Sequence, residues 1–303
     1  MSKLQWDQTG ERLYETGIEK AVLYVLNNSN VYSPGVAWNG VSSVQESPSG
    51  AEPSDIYADD RKYLSLYSAE ELGATIEAYT SPEEFDQCDG MAEATDGLVL
   101  SQQQRKTFGL SYVTKIGNDV DGEDHGYKIH LLYGCKASPS ERGFTTINDS
   151  PEAISFSWSI TTIKQDVEGF KPTSLITIDS TKFTSVEAKA RLKALEDKLY
   201  GTDGSGGAQG TDAYLPLPAE VISTLTAEVE TVTLTFNANG HGTAPAAQTV
   251  LKGSTATEPA DPTAEGYTFG GWYNEAGATT EFDFTTALNA NKTIYAKWTQ
   301  SEG

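Results

Sequence analysis

Two stretches of the chain alternate apolar and polar side chains with a period of two. In one, Ile154, Phe156, Trp158 and Ile160 alternate with Ser155, Ser157, Ser159 and Thr161. In the other, Tyr127, Ile129, Leu131 and Tyr133 mark one face. Successive side chains of a strand point to opposite faces, so this pattern specifies half-buried β-strands rather than helices. Ala21–Leu26, AVLYVL, is apolar on both faces and suits a central strand. Phe108–Thr114 and Leu175–Ile178 read as further strands. Helical signals are sparser. Thr184 stands as an N-cap with Glu187 at the third helical position, a capping box. Ala188, Leu192, Leu195 and Leu199 follow on one helical face, Glu187 and Arg191 form an i,i+4 pair, and Gly201 ends the helix. A short second helix is expected from Ser81, with Pro82 at its first position and Glu84 completing another box. Helices and strands do not alternate along the chain. The expectation is therefore a mainly β (α+β) fold, a sandwich or barrel with one packed helix, and not a doubly wound sheet.

Near residue 201 the chain changes character. Gly201–Asp212 reads GTDGSGGAQGTD, the composition of a flexible linker or loop. Pro216 and Pro218 then impose an extended run, and residues 231–299 read as a compact β-rich module. There Val232, Leu234 and Phe236 alternate with Thr231, Thr233 and Thr235, and Ile294, Ala296 and Trp298 alternate with Tyr295 and Lys297. Two such strands and a Gly-rich middle close a small core on Phe269, Trp272 and Trp298, with Tyr273 beside them. Core packing is the expected role of these aromatics, ahead of ligand contact. The expected domains are 1–228 and 229–303.

One stretch of the first domain fits no compact core. Ser42–Lys62, SSVQESPSGAEPSDIYADDRK, is 21 residues with five acids, two bases and two prolines. Loops beyond about 12–15 residues are uncommon and are usually functional or disordered. Its composition fits two readings equally: a loose loop tip, or an arm that orders against a neighbouring subunit. In the second reading Asp55, Ile56, Tyr57, Asp59, Asp60 and Arg61 are the contact candidates.

Charge narrows the function. Over 303 residues, 43 acids stand against 21 bases, a net charge of −22. Phosphate binding needs Lys and Arg, so a nucleic-acid binder of the usual kind and an anionic membrane surface are both disfavoured. No run approaches the ~20 apolar residues of a spanning helix. The N-terminal MSKLQWDQTGERLY lacks the apolar centre of a secretory signal, and two cysteines make no disulfide framework. These features describe a soluble protein made in a reducing cytoplasm, free to become part of a particle.

No catalytic or cofactor chemistry is legible. Gly117–Gly126, GNDVDGEDHG, is the densest acidic patch, but no register places Gly at the sixth position of a calcium loop, and a hairpin turn explains its residues. His125 and His130 lie outside any HExxH pattern, and His241 sits in a turn, NGHG. G-x-S-x-G is absent. Cys88 lies between acids that disfavour a thiolate, and Cys135 reads as a packed residue. GSGGAQG lacks the lysine of a phosphate loop. The chain is expected not to be an enzyme and to bind no cofactor or metal.

Several stretches in order resemble the major tail, or tail-tube, proteins of long non-contractile phage tails. They are GIEKAVLYVLN, DIYADDRKYL, LGATIEAYTSPEEFDQCDG, TFGLSYVTKIGND with GYKIHLLYGCKASPSE, ISFSWSITT and LPLPAEVISTL, together covering most of residues 1–225. VTLTFNANGHGTAP, QTVLKGSTATEPADPTAEGYTFGGWY and TIYAKWT resemble one Listeria–Bacteroides repeat, the small β-grasp-like module of internalin-type surface proteins. The first resemblance implies a structural virion protein. It would form rings of six that stack into a tube for DNA ejection, with the tape-measure and tail-end proteins as further partners. DNA would pass without tight binding, and assembly would take place in the host cytoplasm. The tail-tube match closes before Thr231 and six such modules would obstruct a bore, so the module is expected on the tube exterior, as plain decoration first or, as the second resemblance implies, in weak contact with host-envelope polymers. The rival class is a bacterial surface or adhesin-type protein using that module alone. The absence of a signal at the N-terminus and of an anchor after Trp298 counts against it.

Overall fold

The alternating stretches form strands. The computed structural model describes residues 3–146, 153–204 and 209–301, and the chain divides into two units, Met1–Phe183 with Lys193–Leu225 and Thr184–Leu192 with Thr226–Gly303. The fold is mainly β.

In the first unit the strands are β1 (Tyr14–Leu26), β2 (Tyr32–Ala37), β3 (Val41–Ser49), β4 (Pro53–Ala58), β5 (Arg61–Tyr67), β6 (Glu71–Ala78), β7 (Ala92–Thr95), β8 (Leu98–Leu100), β9 (Phe108–Asn118), β10 (Gly122–Ala137), β11 (Phe156–Thr161) and β12 (Leu175–Asp179). The main sheet runs β2-β1-β9-β10-β11-β6-β3, with β12 also on β10. Strand β10 makes this possible. Its earlier part pairs with β9 and β12, and its last residues, Lys136 and Ala137, pair with β11. Between these parts the register shifts at Leu132/Cys135, where Gly134 adopts φ +62°. A Cβ on Gly134 would lie 2.3 Å from the Ile163 carbonyl oxygen, so only glycine fits this bulge.

The two arms of the bent sheet enclose one core. Ala21 and Leu23 of β1, Phe108 and Leu110 of β9, and Leu132 and Cys135 of β10 meet Ile76 of β6 and Trp158 of β11. Phe85 sits at the centre, its ring 4.5 Å from Trp38, 5.2 Å from Trp158 and 5.4 Å from Phe108. Such ring pairs add about 0.5–1.5 kcal/mol each beyond burial. The opposite face of β1, β9 and β10 is also covered. The Tyr24 hydroxyl donates to the Leu199 carbonyl at 2.7 Å, Tyr127 to Glu196 at 2.6 Å and Tyr133 to the Pro216 carbonyl at 2.9 Å. Burial on both faces accounts for the unbroken apolar run at Ala21–Leu26.

Helix α1 (Val186–Tyr200) buries Leu192, Leu195 and Leu199, and Gly201 ends it at φ +75°. Its cap is Ser185 and not the expected Thr184, since the Ser185 hydroxyl accepts from the Ala188 N–H at 3.1 Å. The expected helix from Ser81 is only a 3₁₀ turn, Glu83–Phe85, whose preceding Pro82 offers no side-chain cap. An unforeseen helix, α2 (Pro218–Thr226), starts where an extended run was expected. Pro218 occupies its first turn, where a missing N–H costs nothing. Residues 205–208 of the Gly/Ser-rich stretch lie outside the described residues. Its flanks are tied together by Thr202 and Thr211, which exchange backbone hydrogen bonds of 3.0 and 3.1 Å.

The expectation of an arm loop over 42–62 is corrected. Most of that stretch is strand: β3 completes the main sheet against β6, and β4 and β5 form a hairpin. Pro48 is tolerated because β3 is an edge strand with one free hydrogen-bonding side.

In the second unit β13 (Thr231–Asn237), β14 (Gln248–Leu251), β15 (Tyr267–Tyr273) and β16 (Lys292–Gln300) form a sheet of order β14-β13-β16-β15, its central pair parallel. Val232, Leu234, Phe236, Ile294 and Ala296 line its core, and loops bring in Ala256, Phe282 and Leu288.

Candidate functional site

The β4–β5 hairpin holds all six contact candidates read from the sequence. Asp59 and Asp60 form its two-residue turn, both in the left-handed region at φ +52° and +56°. This is the primed-turn geometry that matches strand twist, and Asp tolerates it better than most residues. At the other end Gly50, φ +83°, passes so close to Ala69 that a Cβ would lie 2.3 Å from its carbonyl oxygen. The hairpin is thereby fixed to the sheet at a tight crossing. Along it Ile56 faces Leu64 and Ser54 faces Leu66, while Asp55 faces Ser65. Lys62 lies 2.7 Å from Asp55, and Ser65 donates to it at 2.5 Å. The Lys62 ammonium, followed by the Ser65 hydroxyl, holds the Asp55 carboxyl below the usual carboxylate range.

The hairpin is exposed on both faces. Tyr57 is 68% accessible, Tyr63 70% and Tyr67 70%, and Ile56, Leu64 and Leu66 are exposed with them. An isolated two-stranded hairpin is marginal in water, and six large apolar side chains without cover on its two faces are what an interface presents. Sequence reasoning found Asp55, Ile56, Tyr57, Asp59, Asp60 and Arg61 but missed Tyr63, Leu64, Leu66 and Tyr67. They lie on β5, just past the end of the stretch singled out, where apolar alternation resumes from Tyr63 to Tyr67.

The module aromatics are divided between core and margin. Trp272 is buried against Phe236 (4.9 Å) and Phe269 (5.4 Å). Strict alternation would put residues 269 and 272 on opposite faces. A bulge between them, with Gly271 at φ +104°, returns both to the core side. Phe269 and Trp298 pack at the core's edge, and the Trp298 indole donates to the Ala238 carbonyl at 2.8 Å. Tyr273 lies outside that core, with the Lys297 ammonium 5.0 Å from its ring. His241 stacks on Tyr267 at 3.8 Å.

The other residues weighed for chemistry sit in the fabric of the sheet. His125 lies 3.0 Å from Asp121 beside the β9–β10 turn. His130 stacks on Tyr112 at 4.6 Å, with Nδ1 3.4 Å from Glu46. Cys88 and Cys135 are buried thiols, and burial pushes Cys88 up to about 12. Among the described residues no group of three or more His, Cys, Asp or Glu is arranged to hold a metal ion, and no helix is long and apolar enough to cross a membrane.

Residues 233–297 match the Listeria-Bacteroides repeat domain family. Among curated proteins the chain is similar to Internalin H of Listeria monocytogenes, 37% identical over 102 residues, which is 32% of this chain and 18% of that protein. It is also similar to a protein of Evansella cellulosilytica, 40% identical over 72 residues, 23% of this chain and 11% of that protein. The chain thus spans less than a fifth of the length of these curated relatives. Among solved structures it is similar to a chain of the anti-feeding prophage baseplate, at 11% identity, 59% of this chain, 97% of that one and a TM-score of 0.28. A second is a chain of the PVC sheath–tube complex of an extracellular contractile injection system, at 13% identity, 53% of this chain, 88% of that one and a TM-score of 0.24. Likeness at such TM-scores supports no conclusion about fold or function.

Proposed function

We propose that this chain is a structural subunit that assembles with copies of itself into stacked rings, the wall of a phage-type tail tube through which DNA passes. The observation that carries this reading is the β4–β5 hairpin, ordered yet apolar and uncovered on both faces. Such a surface is stabilised by a partner, and head-to-tail contacts between copies generate rings or filaments. The sequence resemblance of residues 1–225 to tail-tube proteins points the same way and supplies the expectations of six copies per ring and of tape-measure and tail-end proteins as partners. The charge of −22 suits a conduit, because an acidic wall repels DNA phosphates. The repeat domain at 233–297 would decorate the exterior. Electron microscopy of the purified protein tests this reading: rings or tubes are expected, and a variant with residues 53–67 replaced by a short Gly-Ser turn should stay folded and unassembled. If the wild-type protein remains monomeric at high concentration, the reading is wrong.

A second reading draws on the match of 233–297 alone: a bacterial surface protein that binds envelope polymers through its repeat domain. It predicts monomers under the microscope and retention of the isolated repeat on cell-wall material.

A further inference from the structure

A cleft of about 750 Å³ opens at the foot of the arm, bounded by Ala51 and Tyr67, the two points where the hairpin leaves the sheet. Leu72, Pro172 and Leu175 give it apolar walls. Its charged lining is Lys164, Lys171 and Glu70, two bases and one acid in a chain where acids outnumber bases two to one. Lys164 is anchored through its ammonium to the Glu70 carbonyl oxygen, which leaves further N–H donors free. The loop bearing Lys171 is closed by Gln165 and Thr173, whose backbones exchange hydrogen bonds of 2.7 and 2.9 Å.

The opposite end of the hairpin carries the reverse pattern. Asp59, Asp60 and Arg61 put two acids and one base at the tip, with the exposed Tyr57 and Tyr63 just behind. We propose that this cleft receives the arm tip of a second copy of the chain: Asp59 and Asp60 against Lys164 and Lys171, Arg61 against Glu70, and a tyrosine against the apolar wall. The partner cannot be the chain's own tip. The pairs run from Pro53↔Tyr67 at the foot to Ala58↔Arg61 at the tip, five residues along β4, or about 17 Å at 3.3–3.4 Å per residue. A tip-to-foot contact is therefore head-to-tail, and repeating it stacks copies along the arm. Tyr at the centre and charges at the rim is the usual anatomy of such a contact. This inference rests on the self-assembly reading and names the two surfaces that would meet.

Charge exchange tests it in the full chain. Asp59→Lys with Asp60→Lys, and separately Lys164→Glu with Lys171→Glu, should each raise the concentration needed for assembly at least about tenfold, while the four changes together in one chain restore it. A second measurement uses Asp60→Cys with Lys171→Cys and a short bismaleimide, the native Cys88 and Cys135 being buried. Covalent ladders of two, three and more chains are expected. Tubes that form as well as wild type in both charge variants, a four-fold exchange that does not restore assembly, or tubes without ladders would overturn the tip-to-cleft contact and leave the tube reading standing. A wild-type protein that never assembles overturns both.

Discussion

Trp158 donates its indole N–H to Asp89 at 3.1 Å, tying a wholly buried ring of the sheet core to a carboxylate whose side chain is only 7% accessible. Arg105 approaches the other carboxylate oxygen at 3.0 Å and also donates to the Ala137 carbonyl, while Arg142 pairs with the oxygen that Trp158 uses. One buried acid thus links the turn after Phe85, the end of β10, the segment bearing Arg142 and strand β11.

Asp89→Ala removes the one acceptor that Trp158, Arg105 and Arg142 share. The Arg105 and Arg142 side chains are 27% and 37% accessible and can hydrate, so the main loss is the shared acceptor of the buried Trp158 N–H, a cost of about 1–3 kcal/mol. A fall of that size in unfolding free energy is expected from urea titration. Asp89→Asn can still accept the Trp158 hydrogen bond and should lose less. Equal, small losses in both variants would show that the cluster contributes little.

Glu46 introduces a pH dependence. It accepts from the Tyr112 hydroxyl at 2.5 Å and lies beside His130, and these contacts hold its carboxyl below its ordinary value of 4.5, the His130 interaction being the largest cause. A depressed acid stabilises the fold above its unfolded value, and that contribution is lost as pH falls through the folded value. Glu46→Gln should therefore melt below wild type at pH 6, with the gap closing towards pH 3. Thermal unfolding across that range measures it. A gap constant with pH would assign the loss to packing instead.

Gly134 allows β10 to serve both arms of the bent sheet. Gly134→Ala would place a methyl 2.3 Å from the Ile163 carbonyl oxygen at φ +62°. A left-handed conformation alone costs about 1–2 kcal/mol for a residue with a Cβ, and the clash adds to it. A loss of more than about 2 kcal/mol is expected by urea titration. A neutral result would mean that the bulge relaxes freely.

The same bulge marks where the sequence stops being legible. The face of Trp158 and Ile160, the central strand at Ala21–Leu26 and the buried stripe of α1 were all readable, because each meets an unvarying environment: one covered face, two covered faces and one covered stripe. Gly134 and Gly271 break the strand period, so Leu132 and Cys135, like Phe269 and Trp272, share a side that strict alternation denies them. Strands β3 to β5 were hidden for another reason. An edge strand and a free hairpin have little or no buried face, so the contrast that signals a strand disappears, and prolines at 48 and 53 reinforced the impression of a loop. Pro218 concealed α2 because a helix-starting proline and a helix-breaking one look alike. At the candidate site the acids of the arm were visible in composition. The cleft was not, since the fold brings Glu70, Lys164 and Lys171 together from distant parts of the chain.

The protein should not bind duplex DNA at physiological salt. Even non-specific binders reach only about 10⁻⁴–10⁻⁶ M through Lys and Arg contacts to phosphate. Here Arg105 and Arg142 are committed to Asp89, Lys62 to Asp55 and Lys128 to Glu15, within a chain of net −22. A gel-shift assay should show free DNA up to high micromolar protein. A retarded band at micromolar protein would contradict a repelling conduit wall.

Truncation after Ala227 separates the repeat domain from the proposed wall. The four-stranded sheet β14-β13-β16-β15 has its own core, with Leu234, Ile294 and Ala296 fully buried and Trp272 nearly so. Residues 231–299 reach a size at which small domains fold alone. The arm, its cleft and the bent sheet all lie before the cut. The contacts removed include one at the start of α1, where Thr231 donates to Glu187 at 2.9 Å. The cost there is a frayed first turn, since α1 keeps Leu195 and Leu199 in its buried stripe. Tubes of unchanged bore and smaller outer diameter are therefore expected by electron microscopy. A narrower effect, loss of α1 with tubes intact, would appear as reduced helical circular dichroism. Failure to form any tube, with the arm present and the first unit folded, would assign the repeat domain to the wall itself.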